Sequence, residues 1–308
     1  MRKENFRAYL AWVTVCILWG TTYLAIRIGV EELPPMLFAG FRWLLAGTLL
    51  VIYLKAKGYN LPDRRGFIDI SIMGVLLLGL GNGLVVYGEK FVPSGLAALL
   101  ITTVPFWIVG IEAFLPHGTR LNLKVLTGLI IGLLGVGVIF GSDLNALFDA
   151  SYLTGIISLL IAVFFWALGT LYSKYKKVNV HPLMSAAVQM LVAGFFQSLL
   201  GAALGEFTGL HIGFHGALAF LYLVIFGSLF GYTSYIYAVT HLPVSFVSTY
   251  AYINPVIALI LGWLVLGEKL DLTTILAAVI IFAGVAMVKR GTGRKKSTPE
   301  PERQETLS

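Results

Sequence analysis

Ten stretches of about 20 predominantly apolar residues follow one another along this chain of 308 residues. An α-helix rises about 1.5 Å per residue, so about 20 residues cross the roughly 30 Å hydrocarbon layer of a bilayer. The composition agrees, because 58% of the residues are hydrophobic and 12% are charged, and a soluble domain cannot bury so much apolar surface. The chain is therefore predicted to be an all-α membrane protein. The ten predicted spans are residues 8–28, 35–54, 68–88, 93–115, 123–141, 152–172, 182–204, 216–239, 244–266 and 273–289.

Basic residues are concentrated at alternate ends of these spans. Eighteen of the 22 Lys and Arg residues lie before the first span, near residues 55–65, 120–124 and 174–177, or after residue 288. Cytoplasmic loops of membrane proteins carry an excess of Lys and Arg. A multi-pass protein of the cytoplasmic (inner) membrane with both termini in the cytoplasm is predicted. Residues 290–308 are polar and rich in charge, which predicts a disordered cytoplasmic tail.

The two halves of the chain resemble each other. At offsets of 147 to 150 residues the aligned pairs include Trp19 with Trp166, Pro35 with Pro182, Ala46-Gly47 with Ala193-Gly194, Gly81 with Gly231 and Pro105 with Pro255. These matches predict two copies of a five-helix unit, at residues 8–141 and 152–289. Because five is odd, the second copy would enter the membrane from the opposite side. Ten transmembrane helices as two inverted five-helix repeats are thus predicted, which is typical of many secondary transporters.

Five short stretches carry a resemblance to a known family: ILWGTTY at 17–23, AGFR at 39–42, VPSGLAALL at 92–100, YAYINP at 250–255 and LGEKL at 266–270. Together they resemble the EamA-type family of the drug/metabolite transporter superfamily, especially its YedA-like bacterial inner-membrane exporters. The resemblance covers residues 8–289, and implies a ten-helix inverted-repeat fold and export of small metabolites or amino acids. In one departure, the family's Gly-Glu after the fourth helix of each repeat is present as Gly267-Glu268 but is replaced by Pro-His-Gly-Thr at 116–119.

Two prolines are predicted to mark the middle of the bilayer. Pro105 and Pro255 each follow an earlier proline by 12 residues, which places them ~18 Å into their helices. A proline inside a helix leaves the carbonyl group four residues earlier without its hydrogen bond. At this depth such a group needs protein, water or a ligand as its partner. A binding site or hinge is therefore predicted, with a plain packing kink as the alternative.

Arg42 falls well inside a predicted span, ~10 Å from its outer boundary. A buried arginine is costly and should face a partner or a wet cavity. Three interpretations remain open from the sequence: Arg42 binds a substrate carboxylate, pairs with Glu89 or Glu112, or extends its side chain outward to the interface. Its counterpart in the second half is Gln189.

Glu89 and Glu112 are the candidates for coupling or gating. Glu89 follows the third predicted span beside Lys90, so a solvated ion pair at the outer mouth is the alternative interpretation. Glu112 is placed inside the fourth span, nearer the cytoplasm, and is a candidate proton carrier.

The predicted function is export of small metabolites, amino acids or related zwitterions, across the cytoplasmic membrane by alternating access. The second half is rich in tyrosine, and aromatic rings near a cation suit an amphipathic zwitterion. The residues predicted to line the cavity are Trp19, Tyr23, Arg42, Asn82, Tyr87, Thr102, Pro105, Trp166, Gln189, Tyr235, Tyr237, Tyr252, Asn254 and Pro255.

Motifs for other chemistry are absent from the sequence. It contains no Walker A motif, no H-E-x-x-H, no G-x-S-x-G and no paired-cysteine metal spacing. No enzymatic activity, cofactor or metal is predicted, and the predicted partners are a small-molecule substrate and the lipid bilayer, not nucleic acid. A monomer and a homodimer both remain open. A membrane channel or sensor for a small solute is the alternative function, followed by a membrane-embedded enzyme.

Overall fold

The computed structural model describes residues 3–114, 122–141, 149–176, 178–209, 211–242, 247 and 250–292. Within these ranges every regular element is helical, and none of the residues forms a β-strand. The predicted all-α class is therefore confirmed. The motif departure at 116–119 and the predicted tail beyond residue 292 lie outside the described residues.

The helices follow one another with short connections. They are α1 (Lys3–Glu32), α2 (Pro35–Ala56), α3 (Arg64–Gly74), α4 (Gly83–Gly88), α5 (Ser94–Ile101), α6 (Val104–Ala113), α7 (Leu123–Gly141), α8 (Ala150–Tyr175), α9 (Pro182–Ala203), α10 (Phe214–Tyr222), α11 (Thr233–His241), α12 (Tyr250–Leu266) and α13 (Leu272–Thr292). A π-helical segment, π1 (Val75–Asn82), joins α3 to α4, and a second, π2 (Leu223–Tyr232), joins α10 to α11.

Seven helical stretches of the described residues are long and apolar enough to cross a membrane: Phe6–Glu32, Pro35–Ala56, Arg64–Gly88, Ser94–Ala113, Ala150–Tyr175, Pro182–Ala203 and Phe214–Ala238. Three more apolar helices are shorter, at Leu123–Gly135, Tyr250–Leu266 and Leu272–Val288. The protein is thus a helical membrane protein. Length and composition support seven crossings, and the predicted ten remains a prediction.

Helix α9 carries exposed apolar side chains on one side and a buried polar side chain on another, as expected for a helix that faces lipid. On α9, Phe195 and Leu199 are 67% and 60% exposed, whereas Gln197, between them in sequence, is fully buried. The amide nitrogen of Gln197 donates hydrogen bonds to the carbonyl oxygens of Leu78 (2.8 Å) and Gly79 (3.0 Å) in π1. Such internal partners are needed because lipid cannot hydrogen-bond to backbone groups.

The two π-helical segments occupy matching places in the two halves. π1 ends at Asn82 and π2 ends at Tyr232, 150 residues later. A π-helical turn departs from regular α-helical bonding and frequently occurs at functional sites. Gly81 and Gly231, which also match at this offset, each lie against a tryptophan of the opposite half, Trp166 and Trp19 respectively.

Helices α2 and α9 pack closely through small residues. A methyl group on Gly40 would lie 3.0 Å from the carbonyl oxygen of Gly194, and a methyl group on Gly194 would lie 2.8 Å from that of Gly40. Gly47 approaches the carbonyl oxygen of Ala187 in the same way, at 3.0 Å. Since residue numbers rise along one helix as they fall along the other, α2 and α9 are antiparallel.

Helices α7 and α13 form a second close antiparallel pair. A methyl group on Gly128 would lie 2.8 Å from the carbonyl oxygen of Gly284, and one on Gly135 would lie 2.9 Å from the amide nitrogen of Ile281. Small residues permit this approach of two backbones, which is how helices commonly associate in membranes.

The two mid-span prolines have different local structures. The fourth predicted span is interrupted at Thr102 and Thr103, and Pro105 lies in the first turn of α6. The two threonine hydroxyl groups donate to carbonyl oxygens three residues earlier, at 2.6 and 2.7 Å. Pro255, in contrast, lies inside the continuous helix α12. The proline in the first half therefore accompanies a helix break, whereas its counterpart does not.

Candidate functional site

A cavity of about 310 Å³ lies between helices of both halves. Eight of the predicted cavity residues line it, namely Trp19, Tyr23, Arg42, Asn82, Pro105, Trp166, Tyr252 and Asn254, and Glu112 also lines it. Most of the remaining wall is apolar, with Ile26, Leu78, Val85, Ile101, Val104, Ile108 and Val109 among its residues. A mostly apolar wall with a few converging polar groups is typical of a small-molecule site. The role of each predicted residue in binding stays a prediction.

Arg42 supplies a cation to the cavity wall. It is 2% exposed, its Nη2 donates a hydrogen bond to Oδ1 of Asn82, and its guanidinium carbon lies 4.3 Å from the centre of the Trp43 ring. Its Nε has no hydrogen-bond partner among the described residues. No carboxylate of a described residue forms a salt bridge with it.

One of the three interpretations of Arg42 is therefore wrong, because its burial excludes a side chain that extends to the interface. None of the salt bridges among the described residues includes Arg42, but Glu89 is close enough to interact with it electrostatically. A buried cation with only a neutral hydrogen-bond partner and an aromatic face retains much of its charge for a ligand. Contact of Arg42 with a substrate anion stays a prediction.

Asn82, the last residue of π1, forms hydrogen bonds with the side chains of both Arg42 and Trp43. Its Oδ1 accepts a hydrogen bond from Nε1 of Trp43 at 3.2 Å. Trp43 lines the cavity but is absent from the predicted residues. Adjacent residues of a helix do not normally face the same way. With Arg42 predicted on the cavity wall, its neighbour Trp43 was therefore not expected to line the cavity as well. The long arginine side chain folds over the neighbouring ring, and this proximity cannot be read from helical spacing.

A cluster of aromatic rings forms another part of the wall. The ring of Trp19 lies 5.0 Å from that of Tyr235, 5.1 Å from Tyr250, 6.1 Å from Trp166 and 6.4 Å from Tyr232, measured between ring centres. Edge-on and offset arrangements at these distances are favourable between aromatic rings. Tyr232 and Tyr250 line the cavity although they are absent from the predicted cavity residues.

The second half carries a hydrogen-bonded pair at the positions that match Arg42 and Asn82. The hydroxyl group of Tyr232 donates to Oε1 of Gln189 at 2.8 Å, and both residues are buried. Gln189 matches Arg42 in the alignment of the halves, and Tyr232 matches Asn82. The pair in the second half is neutral, whereas the pair in the first half carries the Arg42 cation.

Glu112 pairs with a lysine at one end of the cavity. Its carboxylate is 7% exposed and accepts a hydrogen bond from Nζ of Lys174, whose side chain is 58% exposed. The pair joins α6 to α8 and therefore connects the two halves. A second contact between the halves lies nearby, where the Tyr172 hydroxyl group donates to Asp69 at 2.5 Å. The predicted proton-carrying role of Glu112 stays a prediction.

Glu89 is not at a solvated mouth. It lies at the C-terminal end of α4 and is 0% exposed, and neither side-chain oxygen accepts a hydrogen bond from a described residue. The alternative interpretation as a solvated ion pair is therefore wrong. Arg27 donates instead to the backbone carbonyl oxygens of Glu89 and Lys90, at the end of α4.

Six predicted cavity residues are not part of the lining: Tyr87, Thr102, Gln189, Tyr235, Tyr237 and Pro255. Tyr87 and Tyr237 lie against neighbours on their own segments, with ring-centre distances of 5.3 Å to Phe91 and 4.1 Å to His241. Tyr235 and Gln189 contact the lining residues Trp19 and Tyr232 from behind. Tyr235 and Gln189 are therefore separated from the cavity by one layer of residues.

Asn254 connects α12 to α1 beside the cavity. With its amide oriented to suit its neighbours, its nitrogen donates to the carbonyl oxygens of Tyr250 (3.1 Å) and Cys16 (3.0 Å). An asparagine beside Pro255 thus supplies a polar partner within the helix. Among the described residues, no group of three or more His, Cys, Asp or Glu side chains is placed to hold a metal ion.

Known proteins resemble this chain over most of its length. The model of the EamA-like transporter family matches it twice, at residues 6–141 and 153–290. The uncharacterized inner membrane transporter YedA of Escherichia coli strain K12 is 35% identical over 276 residues, which cover 89% of this chain and 88% of YedA. The uncharacterized transporter YoaV of Bacillus subtilis strain 168 is 28% identical over 298 residues, which cover 94% of this chain and 99% of YoaV.

The fold also resembles that of a protein of known crystal structure. The two superpose with a TM-score of 0.66 at 21% sequence identity, over 93% of this chain and 99% of the other. At this identity the likeness concerns the fold alone.

Proposed function

The chain belongs to the EamA-like transporter family, and on that premise we propose that it exports small metabolites, amino acids or related zwitterions, by alternating access. Its relatives are named as inner membrane transporters, and its helices have the lengths and apolar surfaces of membrane spans. The basic residues at alternate span ends support a cytoplasmic position for both termini.

The proposal includes ten membrane-crossing helices in two inverted repeats. Two antiparallel helix pairs support it, because α2 and α9, and likewise α7 and α13, occupy matching places in the two halves. The contacts are also reciprocal: Gly40 touches Gly194, and their counterparts Ala187 and Gly47 touch each other. Such reciprocity is expected for a two-fold axis. The two matches of the family model lie over the two proposed repeats.

The single observation that carries the proposal is the cavity between the halves with Arg42 on its wall. Its volume of about 310 Å³ is at the lower end of the sizes of small-molecule sites. A buried guanidinium whose Nε has no partner among the described residues favours a carboxylate ligand, and the rings around Trp19 offer an apolar surface for the rest of the molecule. An amino acid combines these features.

Contacts between the halves lie at both ends of the molecule, which alternating access requires. At the proposed cytoplasmic end, Glu112 pairs with Lys174. At the proposed outer end, Glu206 accepts hydrogen bonds from the amide groups of Met36 (3.3 Å) and Leu37 (2.9 Å), and Glu32 accepts one from Gly216 (2.5 Å). The polar contacts at one end of the molecule can break while those at the other end stay intact, which opens the cavity to one side of the membrane at a time.

The test is transport by the purified protein in proteoliposomes, with labelled amino acids offered one at a time, with and without an imposed pH gradient. Saturable flux of at least one amino acid above that of protein-free liposomes is the expected result. Stimulation by the gradient would further indicate proton coupling.

The control is the Arg65→Ala protein, which loses an exposed arginine outside the cavity and should transport normally. Absence of saturable flux for every amino acid, with a protein that shows cooperative thermal unfolding, would contradict the proposed substrate class. Flux that never saturates would favour a channel.

A further inference from the structure

Glu89 carries a buried carboxyl group whose surroundings do not suit a negative charge. Both of its oxygens are buried, and neither accepts a hydrogen bond from a described residue. An ionised carboxylate in such a place loses its hydration without compensation, whereas the protonated form loses much less. The surroundings therefore favour the protonated form.

Glu268 is a second carboxyl group near the same end of the protein, and its surroundings are the opposite. It accepts hydrogen bonds from the amide nitrogen of Ser94 (2.7 Å), the hydroxyl group of Ser94 (3.0 Å) and the amide nitrogen of Gly95 (3.2 Å). These donors form the N-terminal end of α5, where the free N–H groups and the helix dipole favour a negative charge. The Glu268 carboxyl group is therefore held at the start of α5 by three hydrogen bonds, whereas that of Glu89 has none from a described residue.

Two glycines allow Glu268 to reach α5. Gly267 has a φ of 64°, in the left-handed region, and turns the chain at the end of α12. A methyl group on Gly262 would collide with Oε2 of Glu268 and lie 2.9 Å from the hydroxyl oxygen of Ser94. The bare backbone at these positions leaves room for the contact between the two halves.

The charges that act on Glu89 come from several elements. Glu268 disfavours its ionisation, whereas Arg27 of α1 and Arg42 of α2 favour it, and Tyr23 of α1 is also close enough to interact. Arg27 is partly engaged with the carbonyl groups at the end of α4 and with Glu31, at 3.7 Å. Helix α8 packs against the end of α4 with Gly155 and Leu159, which do not titrate.

We propose that Glu89 and Glu268 form a proton-binding site that holds one proton, on Glu89, while the outer end of α5 is closed against Glu268. This inference deepens the proposed function, since it assigns a proton to the transport cycle. When α5 separates from Glu268, water reaches Glu89, and its carboxyl group releases the proton to that water.

Proton binding and closure then favour each other. Loss of the proton in the closed form places a second negative charge near that of Glu268, which weakens the closed arrangement. By linkage, closing the outer end raises the affinity of Glu89 for the proton by the same factor.

The test is infrared spectroscopy of the full-length protein in lipid nanodiscs during a pH titration. A protonated carboxyl group gives a carbonyl stretching band that is separate from the amide bands and shifts in D₂O. We expect this band near neutral pH in the unmodified protein, its loss in the Glu89→Gln variant and its retention in the matched Glu31→Gln variant. A band that persists in Glu89→Gln, or is missing from the unmodified protein, would overturn the proposal.

A second pair of variants tests the role of Glu268. In Glu268→Gln the midpoint at which the band disappears should fall by about one pH unit or more, because a nearby like charge is removed. Gly262→Ala keeps both carboxyl groups but displaces Glu268, and should shift the midpoint in the same direction. An unchanged or raised midpoint in both variants would contradict the paired site. None of these infrared measurements needs a substrate. They therefore test the proton-binding site even if the transport assay shows no flux.

Discussion

Arg42 and Asn82 form a hydrogen bond on the wall of the cavity, and the residues at the matching positions of the second half, Gln189 and Tyr232, form another. The two pairs connect the same two spans of each half. Their chemistry differs, since the first pair carries a charge and the second is neutral. Matching hydrogen bonds therefore lie beside the cavity in both halves, with a guanidinium group in the first half and a neutral amide in the second.

Replacement of Arg42 by alanine should remove the anchor for a substrate carboxylate. A hydrogen bond to a charged group contributes about 1.5–3 kcal/mol, so transport efficiency should fall roughly 10- to 100-fold for an amino acid that the unmodified protein transports. Abundance in the membrane should stay near normal, and flux per molecule in proteoliposomes is the measurement. Normal flux in Arg42→Ala would refute carboxylate anchoring.

Asn82 offers a more selective test of the same charge. In Asn82→Asp the introduced carboxylate lies beside Arg42 and neutralises it, so transport of a carboxylate-bearing substrate should fall roughly 10-fold or more. Because the shape barely changes, the thermal unfolding temperature should change little. Asn82→Ala removes the hydrogen bond to Arg42 without adding a negative charge. It therefore separates loss of that hydrogen bond from neutralisation of the guanidinium group. If Asn82→Asp transported as well as the unmodified protein, the charge of Arg42 would have no role in binding.

Glu112 and Lys174 can be exchanged to test their ion pair. Glu112→Lys and Lys174→Glu each place two like charges together. Because the lysine is 58% exposed, each should cost only about 1 kcal/mol of stability. The double variant should regain much of the lost unfolding temperature and flux. If the double variant were no better than the sum of the single ones, Glu112 and Lys174 would not interact as an ion pair.

The close approach of α2 and α9 predicts a stability effect at Gly194. In Gly194→Ala the new methyl group would lie 2.6 Å from the amide nitrogen of Leu44, and overpacking of this kind costs about 1–3 kcal/mol. Gly110→Ala is the matched control, because nothing lies within 4 Å of its added methyl group. Thermal unfolding in detergent should show a lower midpoint for Gly194→Ala alone. Equal midpoints would contradict the packing of these helices.

The all-helical class and the alignment of the halves could be predicted from the sequence. Runs of apolar residues are detectable because lipid allows few polar side chains on a helix that it surrounds. The alignment of Trp19 with Trp166 and of Gly81 with Gly231 was also readable, and the structure brings each tryptophan against the glycine of the opposite half.

The partners of individual polar side chains could not be predicted. Arg42 was expected to face a substrate carboxylate, an acidic residue or the interface, and its contacts with Asn82 and Trp43 were not foreseen. For Glu89 the sequence left a coupling or gating role and a solvated ion pair open, and the structure shows the side chain buried. These outcomes depend on how several helices are rotated about their axes, and apolar spans with few polar markers leave that rotation open.

The sequence by itself determined the helical membrane class and the family, because hydrophobicity and short motifs are local properties of the chain. Only the tertiary structure decided that Glu268 caps α5 in the other half and that Glu89 is left without a donor among the described residues. Burial and hydrogen bonding at these positions are set by distant segments that the fold brings together, and the spacing of residues along the chain carries no record of them.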